Sequence, residues 1–349
     1  MERILIVRLG AMGDIIHALP AVAALRERFP NARIGWAIEE RWSDLLVAAN
    51  ADDAPRGSPL KPLVDIIHRV DTKAWRAALL SDETWKEVAN ALGELRAGSY
   101  QLAIDFQGLL KSAVLAYWSG ATVVGFENPK ERPASMLYSR RIPATATHVV
   151  DQNLQLVRAA AGVDNAQPRF PLPRSPAAET WCERELERCN IRRFVLISPG
   201  AGWGAKLWPA ERYGELARAL ALQGLPAILN VGPGEDQLAH AVEQASQGAA
   251  QPIRCSVGEL VALTRRARLS IGADSGPLHL AAALGIPVVA IFGPTDPARN
   301  GPYATRSIVL RSPASRTSYA HASQQNEGLL SISVDDVLAA ARRLLEISA

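Results

Sequence analysis

Short apolar runs alternate with glycine-bearing loops and amphipathic stretches along most of the chain. Residues 3–8, Arg-Ile-Leu-Ile-Val-Arg, are apolar without alternation between two arginines, the pattern of a parallel strand buried on both faces. The loop Leu9-Gly10-Ala11-Met12-Gly13-Asp14 leads into a helix with Leu19, Val22, Leu25 and Phe29 on one side, and Pro30 stops it. Further strands are expected at 33–38, 64–70, 101–106 and 123–126, with helices near 42–50, 82–97, around Lys111 and over 148–161. Residues 51–62 read as an exposed loop, and Asn128–Arg141 as a polar, basic stretch.

Residues 163–176 contain four prolines and no periodicity, which marks a linker. Beyond it the βα alternation restarts. Strands are expected at 194–198, 226–231, 269–271, 288–292 and 307–311, with helices near 177–190, Pro209–Gln223, 276–284 and 334–347. Two successive βα arrays predict an α/β protein of two doubly wound, Rossmann-like domains facing across a cleft, with ligands at the carboxyl ends of the strands.

Length and composition agree with two soluble domains: 349 residues, 48% apolar and 21% charged. No apolar run is long enough to span a bilayer, and residues 3–9 are too short for a signal peptide core, so the expected location is the cytoplasm. Cys182, Cys189 and Cys255 lack metal-ligand spacing and read as thiols without a disulfide framework. A net charge of +3 is too mild to argue for nucleic acid, although it permits a basic patch for an acidic partner or a membrane surface.

The densest chemistry lies at 269–302, where a strand, Gly272-Ala273-Asp274, a helix opening at Ser275-Gly276-Pro277-Leu278-His279 and a second strand form a compact βαβ unit. Unpaired amides and the positive end of the helix dipole make this start a seat for a diphosphate, with Ser275 as the expected cap. The spacing is neither the dinucleotide fingerprint nor, at Ser198–Pro209, a Walker A loop. In that second loop Gly202 and Trp203 precede Lys206, which can neutralise a leaving diphosphate or remain a solvated lysine. Glu235 follows a Gly-Pro-Gly turn and can accept from two ribose hydroxyls, with Asp236 an alternative one residue on. Asp14, at a turn opened by Gly10 and Gly13, reads as a general base or as a helix cap. His17 is a further cleft candidate.

The segment DSGPLHLAAALGIPVVAIFGPTDPARNGPY resembles the nucleotide-sugar signature of the glycosyltransferase family 9 heptosyltransferases, and LGAMGDIIHALP and the Lys-x-Trp-Pro at Lys206 resemble two more of that family's motifs. Asp105-x-Gln107-Gly108 and Arg132-Pro-Ala-Ser135 look like acceptor-domain features of its type I members. The resemblance implies a GT-B fold: acceptor domain 1–162, linker 163–176, donor domain 177–330, and a C-terminal helix, 331–349, packing back on the first domain. It further implies inverting transfer of heptose from ADP-heptose to the Kdo of Kdo-lipid A. Asp14 is then the base and Lys206 the phosphate-binding lysine. Gly202, Trp203, Glu235 and Asp274–His279 hold the donor, with Asp274 expected on the sugar hydroxyls. Gly13, Lys73, Arg76, Gln107, Arg132, Arg140 and Arg141 are candidates for the acceptor. No cofactor or obligatory metal is implied and no nucleic acid is expected. The oligomeric state and peripheral attachment to the inner membrane, for which Trp75 beside Arg76 offers an anchor, stay open. Two rival readings remain: a GT-B enzyme with another sugar nucleotide or acceptor, and a nucleotide-sugar binding protein without turnover.

Overall fold

The computed structural model describes residues 1–164, 167–319 and 327–346. Residues 165–166 of the expected linker, 320–326 of the polar stretch before the last helix, and 347 at that helix's end lie outside the described residues. The chain divides into two compact units, Met1–Ser175 and Pro176–Ala349.

The first unit is a six-stranded parallel sheet of β1 (Arg3–Val7), β2 (Arg33–Glu39), β3 (Ile66–Val70), β4 (Leu102–Asp105), β5 (Thr122–Phe126) and β6 (Arg140–Ile142), in the order β3-β2-β1-β4-β5-β6. The second repeats that plan with β7 (Val195–Ser198), β8 (Ala227–Val231), β9 (Ala250–Arg254), β10 (Leu269–Ala273), β11 (Val288–Phe292) and β12 (Ser307–Arg311), in the order β12-β11-β10-β7-β8-β9. The GT-B class therefore holds as two doubly wound units. Ile4 to Val7 and Val195 to Ile197 are fully buried, as runs of β-branched and leucine side chains must be when helices cover both sheet faces. In each sheet the strand order reverses beside the first strand, so β1 with β4, and β7 with β10, flank a crevice at their carboxyl ends. Register aligns Val7 with Asp105 in one crevice and Ser198 with Gly272 in the other.

Several local outcomes differ from the sequence pattern, and the helix Asp236–Ser246 is one that the pattern did not mark. The helix expected near 42–50 is a 3-10 turn, Glu40–Leu45, too short to carry a helical face. Strands β6 and β9 are additions. Both are edge strands: β6 has three residues, and β9 carries Pro252, which a central strand would not tolerate. The unexpected helix Val257–Arg266 starts with a capping box, in which Ser256 Oγ accepts from Glu259 N and Glu259 Oε2 accepts from Ser256 N.

In the last helix, Val334–Glu346, Val337, Leu338, Ala340, Ala341 and Leu344 join the core of the second unit. Trp208 anchors this corner: it is fully buried, stacks edge-on against Tyr213 at 4.8 Å, and donates from Nε1 to Ile332 O at 3.0 Å. Replacing it removes packing on two elements and takes one of two donors from the Ile332 carbonyl, which Arg212 Nη1 also meets at 2.6 Å. Trp208→Ala is expected to destabilise the second unit by about 3–5 kcal/mol, read as a lower urea midpoint, with Trp208→Phe recovering a large part.

Candidate active site

In the first unit the chemistry collects around Asp14, in the first turn of the helix Met12–Arg28. Arg8, one residue past β1, is 4% exposed, and its guanidinium is locked in place. Nη1 donates to Phe106 O at 2.5 Å and Nη2 meets Asp14 Oδ2 at 2.6 Å. Lys130 Nζ approaches the same oxygen at 3.7 Å, and Ala11 N donates to it at 3.4 Å. Burial pushes the Asp14 carboxyl up, but Arg8, then Lys130, His17 and the Ala11 amide outweigh it and hold its pKa down at about 2. The side chain keeps a third of its surface exposed, so one face of the carboxylate is open.

The turn beside it is built by Asp105 and Gln107. Asp105 is fully buried and accepts from Gln107 N, Gly108 N, Ser112 Oγ and Tyr138 OH. Burial raises its pKa against the pull of those four bonds. Gln107 Oε1 in turn accepts from Leu9 N at 2.8 Å and more weakly from Gly10 N, so it holds the loop that presents Asp14. That places Gln107 as support for the loop before Asp14. Gly13 is buried in the helix start. His17 is buried too, packed edge-on to His148 at 5.8 Å, which takes it out of the list of open residues. Lys73, Arg76, Arg132, Arg140 and Arg141 are all exposed. Arg140 donates to Ala159 O and Arg141 to Ser135 O. Lys111 donates to Thr72 Oγ1, which donates to Glu39.

In the second unit the centre is a buried cluster at the end of β10. Lys206 Nζ lies 2.5 Å from Asp274 Oδ2 and 3.2 Å from Asp274 O, and 4.0 Å above the Trp203 ring. His279 Nε2 meets Asp274 Oδ1 at 3.0 Å. Burial alone would raise the Asp274 pKa. The hydrogen bond and charge of His279, with the charge and hydrogen bond of Lys206, drive it well below the usual carboxylate range. With both oxygens engaged and 4% of its surface exposed, Asp274 orients Lys206 and His279, which replaces the expectation that it binds sugar hydroxyls.

The helix Gly276–Ala283 begins beside this cluster. Ser275 stands at the N-cap position, yet its hydroxyl makes no cap bond, contrary to expectation. Pro277 has removed one of the amides a cap would take. Ser275 Oγ is buried without a partner among the described residues, as is Thr295 Oγ1 past the end of β11. Gly202 is exposed, Gly276 and Pro277 are half-buried, and Leu278 is fully buried. Across β7 and β8 the carboxylate of Glu235 lies so close to Gly200 that a Cβ there would overlap it, and its Oε2 accepts from Gly232 N at 2.8 Å. Asp236 instead pairs with Arg254 on the surface. Among the described residues no group of three or more His, Cys, Asp or Glu is placed to hold a metal.

Residues 69–329 match the sequence model of Glycosyltransferase family 9 (heptosyltransferase). The chain belongs to that family. It is a glycosyltransferase. The chain is 30% identical to lipopolysaccharide heptosyltransferase 1 of Pseudomonas aeruginosa over 319 residues, 89% of this chain and 84% of the relative. It is 27% identical to lipopolysaccharide heptosyltransferase 3 of Escherichia coli, over 96% and 97% of the two chains. E. coli heptosyltransferase WaaC with ADP shares its fold with a TM-score of 0.77 and 23% identity, covering 99% of this chain and 100% of that one.

In this glycosyltransferase, Arg8 and Lys130 lie against Asp14 although the sequence motifs do not single them out. An arginine ending an apolar run was the available signal for Arg8, because a charge that close to a buried strand needs a fixed partner. Two outcomes follow for Asp14. Its lowered folded pKa means its stabilising contribution is complete above about pH 4 and is lost as pH falls through about 2. Arg8→Met removes the largest lowering influence, so carboxyl-carbon NMR is expected to show Asp14 titrating at clearly higher pH, with Arg8→Lys in between.

Proposed function

We propose that the enzyme transfers heptose from ADP-heptose to the Kdo of Kdo-lipid A, with inversion at the anomeric carbon. What carries the donor half is the anion seat of the second unit: a buried lysine held by Asp274 beside a helix start whose Ser275 hydroxyl and first amides have no cap. The names of the relatives, and WaaC structures with ADP and with ADP-2-deoxy-2-fluoro heptose, favour an ADP-sugar over other nucleotides. Glu235 is the residue for the ribose hydroxyls, because Asp236 is turned away to Arg254.

In the reaction, the acceptor hydroxyl attacks the anomeric carbon opposite the diphosphate. A new C–O bond forms as the bond to the diphosphate breaks, and ADP leaves with the electron pair. The acceptor proton passes to Asp14. A carboxylate held at about pKa 2 is a weak base, so proton transfer comes late, when bond formation has made the hydroxyl acidic. The charge growing on the diphosphate is met by Lys206 and the helix dipole. Inversion needs one carboxylate as base at the acceptor side, and no second one for a covalent intermediate. The reaction places the enzyme at the cytoplasmic face of the inner membrane, where its lipid acceptor is exposed.

Asp14→Asn is expected to bind ADP normally and lose on the order of 10²-fold or more in kcat. Near-normal turnover would reduce Asp14 to a structural residue. Lys206→Ala is expected to weaken ADP binding and lower turnover as well. Calorimetry of ADP binding is expected to give the same affinity with and without EDTA, since the seat consists of amides, a hydroxyl and an ammonium; loss of binding in EDTA would require a metal. A nucleotide-sugar binding protein without turnover would release no ADP when Kdo-lipid A is added.

A further inference from the structure

Among the described residues, the exposed large apolar side chains are unevenly distributed. The second unit has four, Leu222, Val309, Tyr319 and Leu330, on separate elements, which is ordinary for a soluble surface. In the first unit they concentrate between Leu79 and Met136. The helix Leu110–Trp118 shows the pattern most clearly. Ser112, Ala113, Leu115 and Ala116 are buried, while Leu110, Val114, Tyr117 and Trp118 face outward. At helical spacing these four fall within an arc of about 100°. The 3-10 turn Arg132–Leu137 packs against this helix and adds Met136, and the five side chains are 39–80% exposed. A helix that keeps four large apolar side chains exposed on one arc has a second face suited to an apolar environment.

The charge around that face selects the environment. From Leu109 to Ile142 the chain carries five cations against two carboxylates, Glu127 and Glu131; Lys111 pairs with Glu39 and Lys130 with Asp14, and Arg132, Arg140 and Arg141 are exposed. Glu131 Oε2 is already accepting from Leu110 N. Exposed arginines on the 3-10 turn that packs against this helix and on the strand that follows it, with an exposed Trp, Tyr and aliphatic side chains, suit an interface with phosphate headgroups above and acyl chains below. A second copy of this chain would bring the same cations against each other. The helix also begins just beyond the Gln107–Gly108 turn that supports the Asp14 loop.

We propose that the face formed by Leu110, Val114, Tyr117, Trp118 and Met136 docks the enzyme on an anionic lipid surface. This rests on the proposed lipid-borne acceptor and names the surface that brings the enzyme to it. Flotation with phosphatidylethanolamine–phosphatidylglycerol vesicles tests it, with phosphatidylcholine vesicles as the neutral control. Wild-type enzyme is expected to float with the anionic vesicles, less so in high salt. Val114→Asp/Trp118→Asp is expected to float about 10-fold less. Its turnover on a delipidated, water-soluble acceptor should be unchanged and its turnover on vesicle-borne acceptor reduced. Should that variant fold poorly, quenching of tryptophan fluorescence by brominated lipid is expected in the wild type and weaker in Trp118→Phe. Equal flotation of both proteins, or equal quenching, overturns the proposal. So does a wild type that stays off anionic vesicles but self-associates through this face in sedimentation velocity. Failure of the wild type to transfer heptose to either acceptor, with flotation intact, would overturn the acceptor assignment and leave the docking surface standing.

Discussion

An all-parallel sheet with helices on both faces has almost nowhere to put a charge. Its strands are dry along their length, so polar groups are confined to the strand ends, where loops meet water. Where the strand order reverses, neighbouring connections leave toward opposite faces and a crevice opens between them. Both units repeat one strand order, so both have that crevice beside their first strand. Arg8, Asp14, Asp105 and Gln107 lie at one of these points. Lys206, Asp274, Ser275 and His279 lie at the other. The chemistry of the enzyme follows from this constraint more than from any single motif.

The two crevices meet the same electrostatic problem with opposite results. Arg8 and Lys206 are both nearly inaccessible, and a buried cation is tolerable only with a fixed partner. Arg8 takes one oxygen of Asp14 and leaves the rest of that carboxylate open to solvent. Lys206 shares Asp274 with His279, and the carboxylate between them is closed off. One pair therefore leaves its anion partly open, and the other encloses both charges. Beside the second pair the helix start at Ser275 is uncapped, and amides left unpaired by the protein remain for a bound anion.

Much of this organisation could be read from the chain directly. Apolar runs without alternation marked most of the buried strands, and glycines at their ends marked the turns where ligands collect. Asp14, Lys206, Glu235 and Ser275 were legible because each stands at a fixed offset from a strand end, within motifs that resemble a known family. The edge strands β6 and β9 escaped notice because an edge needs little hydrophobic signal, and Pro252 speaks against a strand. The 3-10 turn at Glu40–Leu45 escaped for a similar reason, since apolar spacing alone cannot tell a short turn from the start of a helix.

Sequence by itself determined where the chain forms most of its buried strands, turns and long helices, because backbone sterics and burial periodicity act over a few residues. Tertiary structure decided which side chains became partners. Arg8 reaches Phe106, Lys206 reaches Asp274, and Glu235 leans over Gly200 across gaps of tens of residues, distances over which no local pattern carries information. The same holds for accessibility. Asp14 and Asp274 are both aspartates at strand-end turns, and only folding made one an open carboxylate and the other a buried clamp. Burial is a property of everything packed around a group, so it is set by the whole unit at once.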